Sequence, residues 1–317
     1  MSDKRIIIVH PHGFCSGVAR AIAAAEAALE RHRAPIYGLH EIVHNEQVTG
    51  GLMARGLHVV ERLAEVPPGA VVLLSAHGVA PAVRTEARAR NLRLIDATCP
   101  FVAKVHREVL RFVADGCTVV CIGHRTHAEV VGIAGEAPDR VVVVENLAEA
   151  REVQPPDPDR VAVVSQTTLS PETADSIRAL LRERFPRLRQ PPREDICYAT
   201  RNRQQAVRTL AQQVDQVLVL GSANSSNTRR LVETAQQSGG RAHLVGSCAD
   251  LAQIPVEEAR VLGIASGAST PESFIAEVLS ALARRGFTAV EQLHAVAEHS
   301  HVFRPPALDA AHETCYT

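Results

Sequence analysis

Three cysteines occur at corresponding points of a repeated pattern. Cys15, Cys99 and Cys197 each follow a short, mostly apolar segment and precede a segment with the composition and apolar spacing of a helix. Their separation along the chain is far too long for a local zinc loop and suits one small α/β unit for each thiol. We therefore predict three copies of one fold. At a helix N-terminus the dipole and the N–H groups favour a thiolate, the form that binds a soft metal.

Polar residues recur after further apolar runs in each copy. One set follows the second apolar run, at residues 44–45, 124–129 and 225–227. Another set follows the strands predicted over residues 71–74, 161–164 and 261–264, and occupies residues 75–78, 165–168 and 265–269. Ligands of parallel sheets bind at the carboxyl ends of the strands, so a threefold arrangement would direct these side chains at one central pocket.

The residue types restrict the chemistry of such a pocket without fixing it. Three thiolates and a water would make a catalytic zinc site, whereas three thiolates on a [4Fe-4S] cluster would leave one iron open to substrate. The neighbouring imidazole, hydroxyl and amide groups suit a phosphate or diphosphate, and they belong to His44, His77, His127, Ser225, Ser226, Asn227 and Ser269. The sequence contains no Walker loop and no Gly-x-Gly-x-x-Gly motif, which disfavours a nucleotide.

Composition indicates a globular protein without a polyanionic partner. The 317 residues are 46% hydrophobic and 22% charged, and 34 Lys plus Arg nearly balance 35 Asp plus Glu. No basic field is therefore expected to bind nucleic acid or an anionic membrane. No apolar run approaches the roughly 20 residues of a membrane span, and the first residues lead into a strand, so we predict a cytoplasmic protein. Its seven cysteines then do not indicate a disulfide framework.

The repeat also predicts the organisation of the chain. Length alone suggests about two domains, but the repeat indicates three α/β units, over residues 1–98, 99–194 and 195–284, followed by a tail over 285–317. That tail is rich in histidines, which we expect to be solvated. Cys117 and Cys121 are expected in the core, and Cys248 and Cys315 lie outside the repeat.

Several segments that contain these residues match, in order, the motifs of a known family. They are Gly13-Phe14-Cys15-Ser16-Gly17-Val18, Glu41-Ile42-Val43-His44-Asn45, Ser75-Ala76-His77-Gly78-Val79, Asp96-Ala97-Thr98-Cys99-Pro100, His127-Ala128-Glu129-Val130, Ser165-Gln166-Thr167-Thr168-Leu169, Asp195-Ile196-Cys197-Tyr198-Ala199-Thr200, Asn224-Ser225-Ser226-Asn227 and Ala265-Ser266-Gly267-Ala268-Ser269. The chain thereby resembles the 4-hydroxy-3-methylbut-2-enyl diphosphate reductases, which catalyse the last step of the non-mevalonate isoprenoid pathway.

The resemblance implies a fold, a cofactor and a reaction. The fold is a trefoil of three small α/β units with parallel sheets in pseudo-threefold arrangement, around a [4Fe-4S] cluster bound by Cys15, Cys99 and Cys197 with one iron open. Electrons would come from a donor of the ferredoxin or flavodoxin type. The allylic hydroxyl of the substrate would leave as water after uptake of two electrons and two protons, giving isopentenyl and dimethylallyl diphosphate.

The resemblance also implies individual residue roles. The diphosphate would be bound by His44, His77, His127, Ser225, Asn227 and Ser269, with Ser226 and Thr168 lining the same pocket. Thr167 would lie by the substrate hydroxyl, and Glu129 would belong to the proton-delivery path. The chain departs from the family pattern at His12, Ala19, Ala128, Val131, Ile133 and Ala134, none of which is an implied ligand.

Three other functions are compatible with parts of this pattern. A specialised paralogue would keep the site but differ from the usual reductase in rate or partner. A noncatalytic cluster carrier would have no need of the phosphate-binding set, and a Cys-His hydrolase would need one thiol to be dispensable for metal binding. Iron analysis of anaerobic protein and turnover with the allylic diphosphate distinguish these alternatives from the reductase.

Overall fold

Apolar runs of the sequence form parallel strands in this protein, as expected of strands that are buried on both faces. The computed structural model describes residues 4–297 and 301–308. The chain divides into two compact units. The first unit comprises Met1–Ser16, His44–Val48 and Tyr198–Val302, and the second comprises Gly17–Val43, Thr49–Cys197 and Phe303–Thr317.

Three parallel sheets contain the strands of the described residues. The first unit holds a sheet in the order β10-β9-β11-β1-β12, with β1 at Arg5–His10, β9 at Gln216–Leu220, β10 at Arg241–Val245, β11 at Val261–Ser266 and β12 at Ala289–His294. The second unit holds one sheet in the order β3-β2-β4-β5, with β2 at Ile36–Leu39, β3 at Leu57–Val60, β4 at Val71–Leu74 and β5 at Arg93–Asp96. It also holds a sheet in the order β7-β6-β8, with β6 at Thr118–Ile122, β7 at Val141–Val144 and β8 at Val161–Ser165.

Helices connect these parallel strands, as crossover connections require. In chain order they are α1 (Ser16–Arg31), α2 (Glu46–Ala54), α3 (Pro81–Ala89), α4 (Pro100–Ala114), α5 (Ala128–Ala134), α6 (Leu147–Glu152), α7 (Pro171–Arg184), α8 (Tyr198–Ala211), α9 (Ser226–Gln237) and α10 (Glu272–Ala283). None of the helices in the described residues is long and apolar enough to cross a membrane.

Alternate residues of the strands supply two cores, one on each face of a sheet. In the first unit, Ile6 and Ile8 of β1 pack in one buried cluster, whereas Ile7 and Val9 pack in another. In the second unit, Val120 and Ile122 of β6 face one cluster, while Val119 and Cys121 face another. Cys117 belongs to that last cluster too, so the predicted core positions of Cys117 and Cys121 are confirmed.

The α/β class with parallel sheets is confirmed, and so are the strands predicted before the third polar element. β1 pairs with β11 and β12, and not with the strands of residues 36–98 that belong to the same predicted unit. No strand directly precedes Cys197; the nearest pairing before it is an isolated parallel bridge between Arg189 and Ala162 of β8. The pairing of β1 with strands more than 250 residues away cannot be predicted from local periodicity. As a division into domains, the boundaries at 98, 194 and 284 stay a prediction.

Candidate active site

Each of the three predicted thiols lies directly before a helix. Cys15 precedes α1, Cys99 precedes α4 and Cys197 precedes α8, and all three are partly buried. The first N–H groups of a helix lack partners within the helix and, with its dipole, favour negative charge at this point. The predicted location at a helix N-terminus is therefore confirmed for each thiol. No group of three or more histidine, cysteine or acidic side chains in the described ranges is arranged to hold a single metal ion.

The same backbone hydrogen bond fixes all three cysteines. In each case the cysteine N–H donates to a carbonyl two residues beyond the end of a parallel strand. The acceptors are Ala268 after β11 for Cys15 at 3.0 Å, Ala76 after β4 for Cys99 at 2.9 Å and Thr167 after β8 for Cys197 at 3.1 Å. The repeat that the sequence predicts thus extends to the backbone geometry of the thiols.

A buried carboxyl group lies beside the anchor of Cys197. Glu129, in the first turn of α5, is 1% exposed and Thr167 is 4% exposed. The Thr167 N–H donates to Glu129 Oε1 at 2.7 Å, and the Thr167 hydroxyl donates to Oε2 at 3.0 Å. Because the Thr167 carbonyl accepts from Cys197, one residue links the carboxyl group to the backbone of a predicted cluster ligand.

Burial changes the acidity of this carboxyl group. Loss of solvent raises the pKa of Glu129 from its ordinary value of 4.5 to about 7. The two hydrogen bonds from Thr167 lower the pKa and the charge of Asp195 raises it, but burial is the larger effect. A carboxyl group with a pKa near neutrality can both hold and release a proton at physiological pH, as a general acid requires.

Two predicted histidines lie near each other in the second unit. The His77 and His127 rings meet edge to face, with centroids 5.7 Å apart. His127 caps the N-terminus of α5, where its Nδ1 accepts from the Glu129 N–H at 3.2 Å. Since Nδ1 is an acceptor, the ring proton lies on Nε2, which gives the ring a donor for an anion. The Cys99 bond to Ala76 also holds the loop that carries His77.

Thr168 is held by its neighbour Gln166. The Gln166 amide donates from Nε2 to Thr168 Oγ1 at 2.9 Å, while its Oε1 accepts from the His124 N–H at 3.0 Å. Gln166 is fully buried, whereas Thr168 is partly exposed. The amide therefore fixes the Thr168 hydroxyl beside the Glu129–Thr167 pair.

The loop after β11 contacts two predicted site residues of the first unit. The Ser269 hydroxyl donates to the carbonyl oxygen of His44 at 2.9 Å, and the carbonyl of Ala268 accepts from Cys15. The Ser266 hydroxyl accepts from the Gly13 N–H at 2.9 Å. One loop thus positions the Gly-Phe-Cys segment and the histidine segment of the first unit.

The start of α9 contains one buried amide, that of Asn227, without a hydrogen-bond partner among the described residues. Ser225 caps the helix, with its hydroxyl accepting from the Thr228 N–H at 3.3 Å, and Ser226 begins the first turn. Asn227 is 5% exposed, and within the described residues neither polar atom of its amide has a hydrogen-bond partner. A buried amide without partners costs free energy unless a ligand satisfies it. With the helix N-terminus, it makes this turn suited to an anion.

An ion pair that the sequence patterns do not indicate lies directly before Cys197. Lys104 of α4 contacts Asp195 Oδ1 at 2.8 Å, and Asp195 Oδ2 accepts from the Ser165 N–H at 2.9 Å. The patterns do not indicate Arg203 either; it is 2% exposed and donates to the Gly13 carbonyl at 3.1 Å. A charged residue at an apolar helix position is the signal that could have indicated Arg203.

The departures from the family pattern lie in several environments. His12 contacts Glu272 at 3.0 Å and packs against His10, which stacks on His294 of β12. Ile133 is fully buried, whereas Val131 is 54% exposed.

The predicted tail residues His299 and His312 and the cysteine at 315 lie outside the described residues.

The fold and these side chains define an α/β protein with three equivalent thiols and a buried acid beside one of them. The LytB protein family matches residues 6–283. A 4-hydroxy-3-methylbut-2-enyl diphosphate reductase of Mycolicibacterium gilvum is 50% identical over 96% of this chain and 92% of its own. The chain therefore belongs to the LytB family and is an oxidoreductase of that family.

Solved structures support the same relation. The E-1-hydroxy-2-methyl-but-2-enyl-4-diphosphate reductase of Plasmodium falciparum matches with a TM-score of 0.92 and 34% identity, over 96% of both chains. A structure described as (E)-4-hydroxy-3-methyl-but-2-enyl diphosphate reductase, the terminal enzyme of the non-mevalonate pathway, matches with a TM-score of 0.64 and 31% identity, over 89% of this chain and 99% of its own.

Proposed function

We propose that this chain reduces (E)-4-hydroxy-3-methylbut-2-enyl diphosphate to isopentenyl diphosphate and dimethylallyl diphosphate. Each turnover takes up two electrons and two protons and releases the allylic hydroxyl group as water. Family membership over nearly the whole chain supports this substrate. The observation that carries the proposal to particular side chains is the buried Glu129, which is bonded to Thr167 and through it to the backbone of Cys197.

We assign the cofactor to the three equivalent thiols. Cys15, Cys99 and Cys197 would bind a [4Fe-4S] cluster, and one iron would lack a protein ligand. The donor set fits, because thiolates are the usual ligands of such clusters and each thiol lies at a helix N-terminus. When bound, the cluster supplies single electrons and a Lewis-acidic iron. Zinc on the same thiols would supply no electrons, so the proposed reaction favours the cluster over the zinc alternative.

Glu129 is the proposed source of the proton that leaves with the hydroxyl group. Its carboxyl group is partly protonated at neutral pH, because burial raises its pKa to about 7. When Glu129 is protonated, its carboxyl O–H can donate to the Thr167 hydroxyl oxygen over the 3.0 Å that separates the two oxygens, and the Thr167 O–H would then donate to the oxygen of the substrate hydroxyl. Two hydrogen bonds would then connect the acid to the leaving group, which is the geometry that general acid catalysis needs.

The diphosphate would bind to donors from several loops and helix ends. The proposed binding residues are His44, His77, His127, Thr168, Ser225, Ser226, Asn227 and Ser269. Asn227 supports this assignment most directly, because the described residues leave its buried amide unsatisfied. The first-turn N–H groups of α9 would add to the attraction for phosphate oxygens. Phosphate contacts of this charge-assisted kind contribute roughly 1.5 to 3 kcal/mol each.

Anaerobic purification and assay test the proposed function directly. We expect brown protein with about four iron and four sulfide per chain, which turns over the allylic diphosphate with a low-potential viologen as reductant. Stoichiometric zinc without sulfide would contradict the cofactor. A cluster without turnover would indicate a carrier, and hydrolysis without a reductant would indicate the Cys-His alternative.

A further inference from the structure

A groove of the second unit lies beside two of the proposed cluster ligands. It has a volume of about 430 Å³ and is lined by one face of α4, by residues 192–194 and by Phe303. Its residues on α4 recur at helical spacing from Phe101 through Lys104 to Arg111, so they share one side of the helix. The lining includes Phe101, two residues after Cys99, and Glu194, three residues before Cys197.

Lys104 holds the two sides of the groove together. Its ammonium group donates to the carbonyl of Arg193 at 2.5 Å, to the carbonyl of Glu194 at 2.9 Å and to Asp195 Oδ1 at 2.8 Å. Three donors on one side chain thus attach the segment before Cys197 to the second turn of α4. Both walls therefore adjoin a proposed cluster ligand along the backbone, with Pro100 next to Cys99 and Glu194 three residues before Cys197.

The groove has an apolar centre and a basic rim. The Phe101 and Phe303 rings meet edge to face with centroids 5.8 Å apart. Around them Arg107, Arg111 and Arg193 are exposed. The whole chain has a formal net charge of −1, so these cations are a local feature. Aromatic groups surrounded by charges are typical of protein interfaces, and a basic rim selects an acidic partner.

Glu108 and Glu194 also line this surface and reduce its charge. Glu108 forms an ion pair with Arg111, whereas the guanidinium groups of Arg107 and Arg193 lie at exposed positions on opposite walls. The positive potential is therefore expected mainly at Arg107 and Arg193. These two side chains are the ones to exchange in a test.

We propose that this groove is the docking surface of an acidic electron-transfer protein with an iron–sulfur or flavin centre. The proposal rests on the proposed function, which requires two electrons from outside the chain. Each reduced donor gives up one electron and is thereby oxidised. The two electrons, together with two protons, break the allylic C–O bond and form water and the new C–H bond. Electron transfer slows steeply with distance, so a donor must dock near the ligands of the cluster.

Charge reversal at the rim tests the proposal in the anaerobic holoenzyme. The variant carries Arg107→Glu and Arg193→Glu, and neither change removes the Lys104 bonds, which go to backbone carbonyls and to Asp195. The matched control carries Arg140→Glu and Arg151→Glu, two exposed arginines of the same unit that do not line the groove. Both variants change the net charge equally.

Two kinds of reductant, the protein donors and a viologen, separate docking from chemistry. With reduced plant-type [2Fe–2S] ferredoxin or reduced flavodoxin, we expect the groove variant to show a KM for the donor raised by about tenfold or more at low salt. Its viologen-driven turnover should stay within about twofold of wild type, and the control variant should match wild type with every donor. The salt dependence of the donor KM should also become weaker in the groove variant.

Direct binding keeps this test independent of the proposed function. Calorimetry of the oxidised donors needs no turnover, so weaker binding by the groove variant alone would support the surface even if wild-type protein failed the viologen assay. Equal binding of both donors to wild type and groove variant would overturn the proposal. Equal losses with viologen and protein donors would also overturn it, since they would indicate damage to the site itself.

Discussion

Replacing Glu129 by Gln removes one transferable proton from the candidate site and little else. Gln has nearly the same volume, and its amide can keep contacts with the N–H and the hydroxyl of Thr167, which now bind Glu129 at 2.7 and 3.0 Å. Because burial raises the pKa of Glu129 to about 7, its carboxyl group can carry the transferable proton near neutral pH. We therefore expect the variant to keep its cluster and bind substrate but to lose the chemical step.

The expected loss in kcat is about 100- to 10,000-fold, the usual contribution of general acid catalysis. The assay is anaerobic reduction of the allylic diphosphate with a viologen, which needs no protein donor. Glu136→Gln is the matched control, because Glu136 is another buried acid of the same unit and contacts His106 at 2.6 Å. Turnover of the Glu129 variant within a few-fold of wild type would remove Glu129 from the mechanism.

The same pKa predicts how stability depends on pH. Because the folded pKa of Glu129 is raised from 4.5 to about 7, the folded state holds a proton that the unfolded state releases. This contribution is fully present below pH 4.5 and is lost as pH rises through about 7. A shift of this size corresponds to about 3 kcal/mol. Anaerobic denaturant titrations at pH 5 and pH 8 should show that loss in wild type and a smaller one in Glu129→Gln; equal losses would refute the burial argument.

Three further predictions follow from the site. Serine at any of the three proposed ligands should abolish iron and sulfide binding, whereas Cys248→Ser should keep about four of each, as measured by iron and sulfide analysis. His44→Ala and Asn227→Ala should each weaken binding of the diphosphate substrate by roughly 10- to 150-fold and leave the weak binding of its dephosphorylated alcohol unchanged in calorimetry; equal effects on both ligands would contradict the assignment. Lys104→Ala leaves Asp195, 2% exposed, without its cation, so the free energy of unfolding should fall by about 3 kcal/mol, and an unchanged denaturation midpoint would show the pair to be dispensable.

Much of the fold follows from short apolar runs. Val71–Leu74 and Val161–Ser165 are strands that the sequence predicts to within a residue, because strands buried on both faces are continuous apolar runs between turn signals. The partner of Arg5–His10 could not be predicted in this way. This strand pairs with Val261–Ser266 and with Ala289–His294. Such pairing depends on packing between segments that are distant along the chain, and local periodicity contains no information about it.

The candidate site shows the same division between local and distant information. The repeat places Glu129 and Thr167 in the polar clusters that follow β6 and β8, whereas the roles proposed for them are implied only by the resemblance to the family. The structural role of Lys104 could not be predicted from the sequence, because its ammonium group bonds the segment before Cys197, which is far away along the chain. The unsatisfied amide of Asn227 is also a property of packing, because the same residue at an exposed helix start would be hydrated.

The three cysteines show what the repeat preserves and what it lets vary. Two of them follow closely on strands of their own, β1 and β5, whereas Cys197 has no such strand and depends on Asp195, whose carboxylate bonds Ser165 and Lys104. Nevertheless, all three N–H groups donate to a carbonyl two residues beyond a parallel strand. Although different contacts hold the three cysteines, each of them makes the same backbone hydrogen bond. We infer that the position of the thiol is the feature that the repeat preserves. Three thiols with equivalent backbone anchors fit the cluster with three protein ligands that we propose.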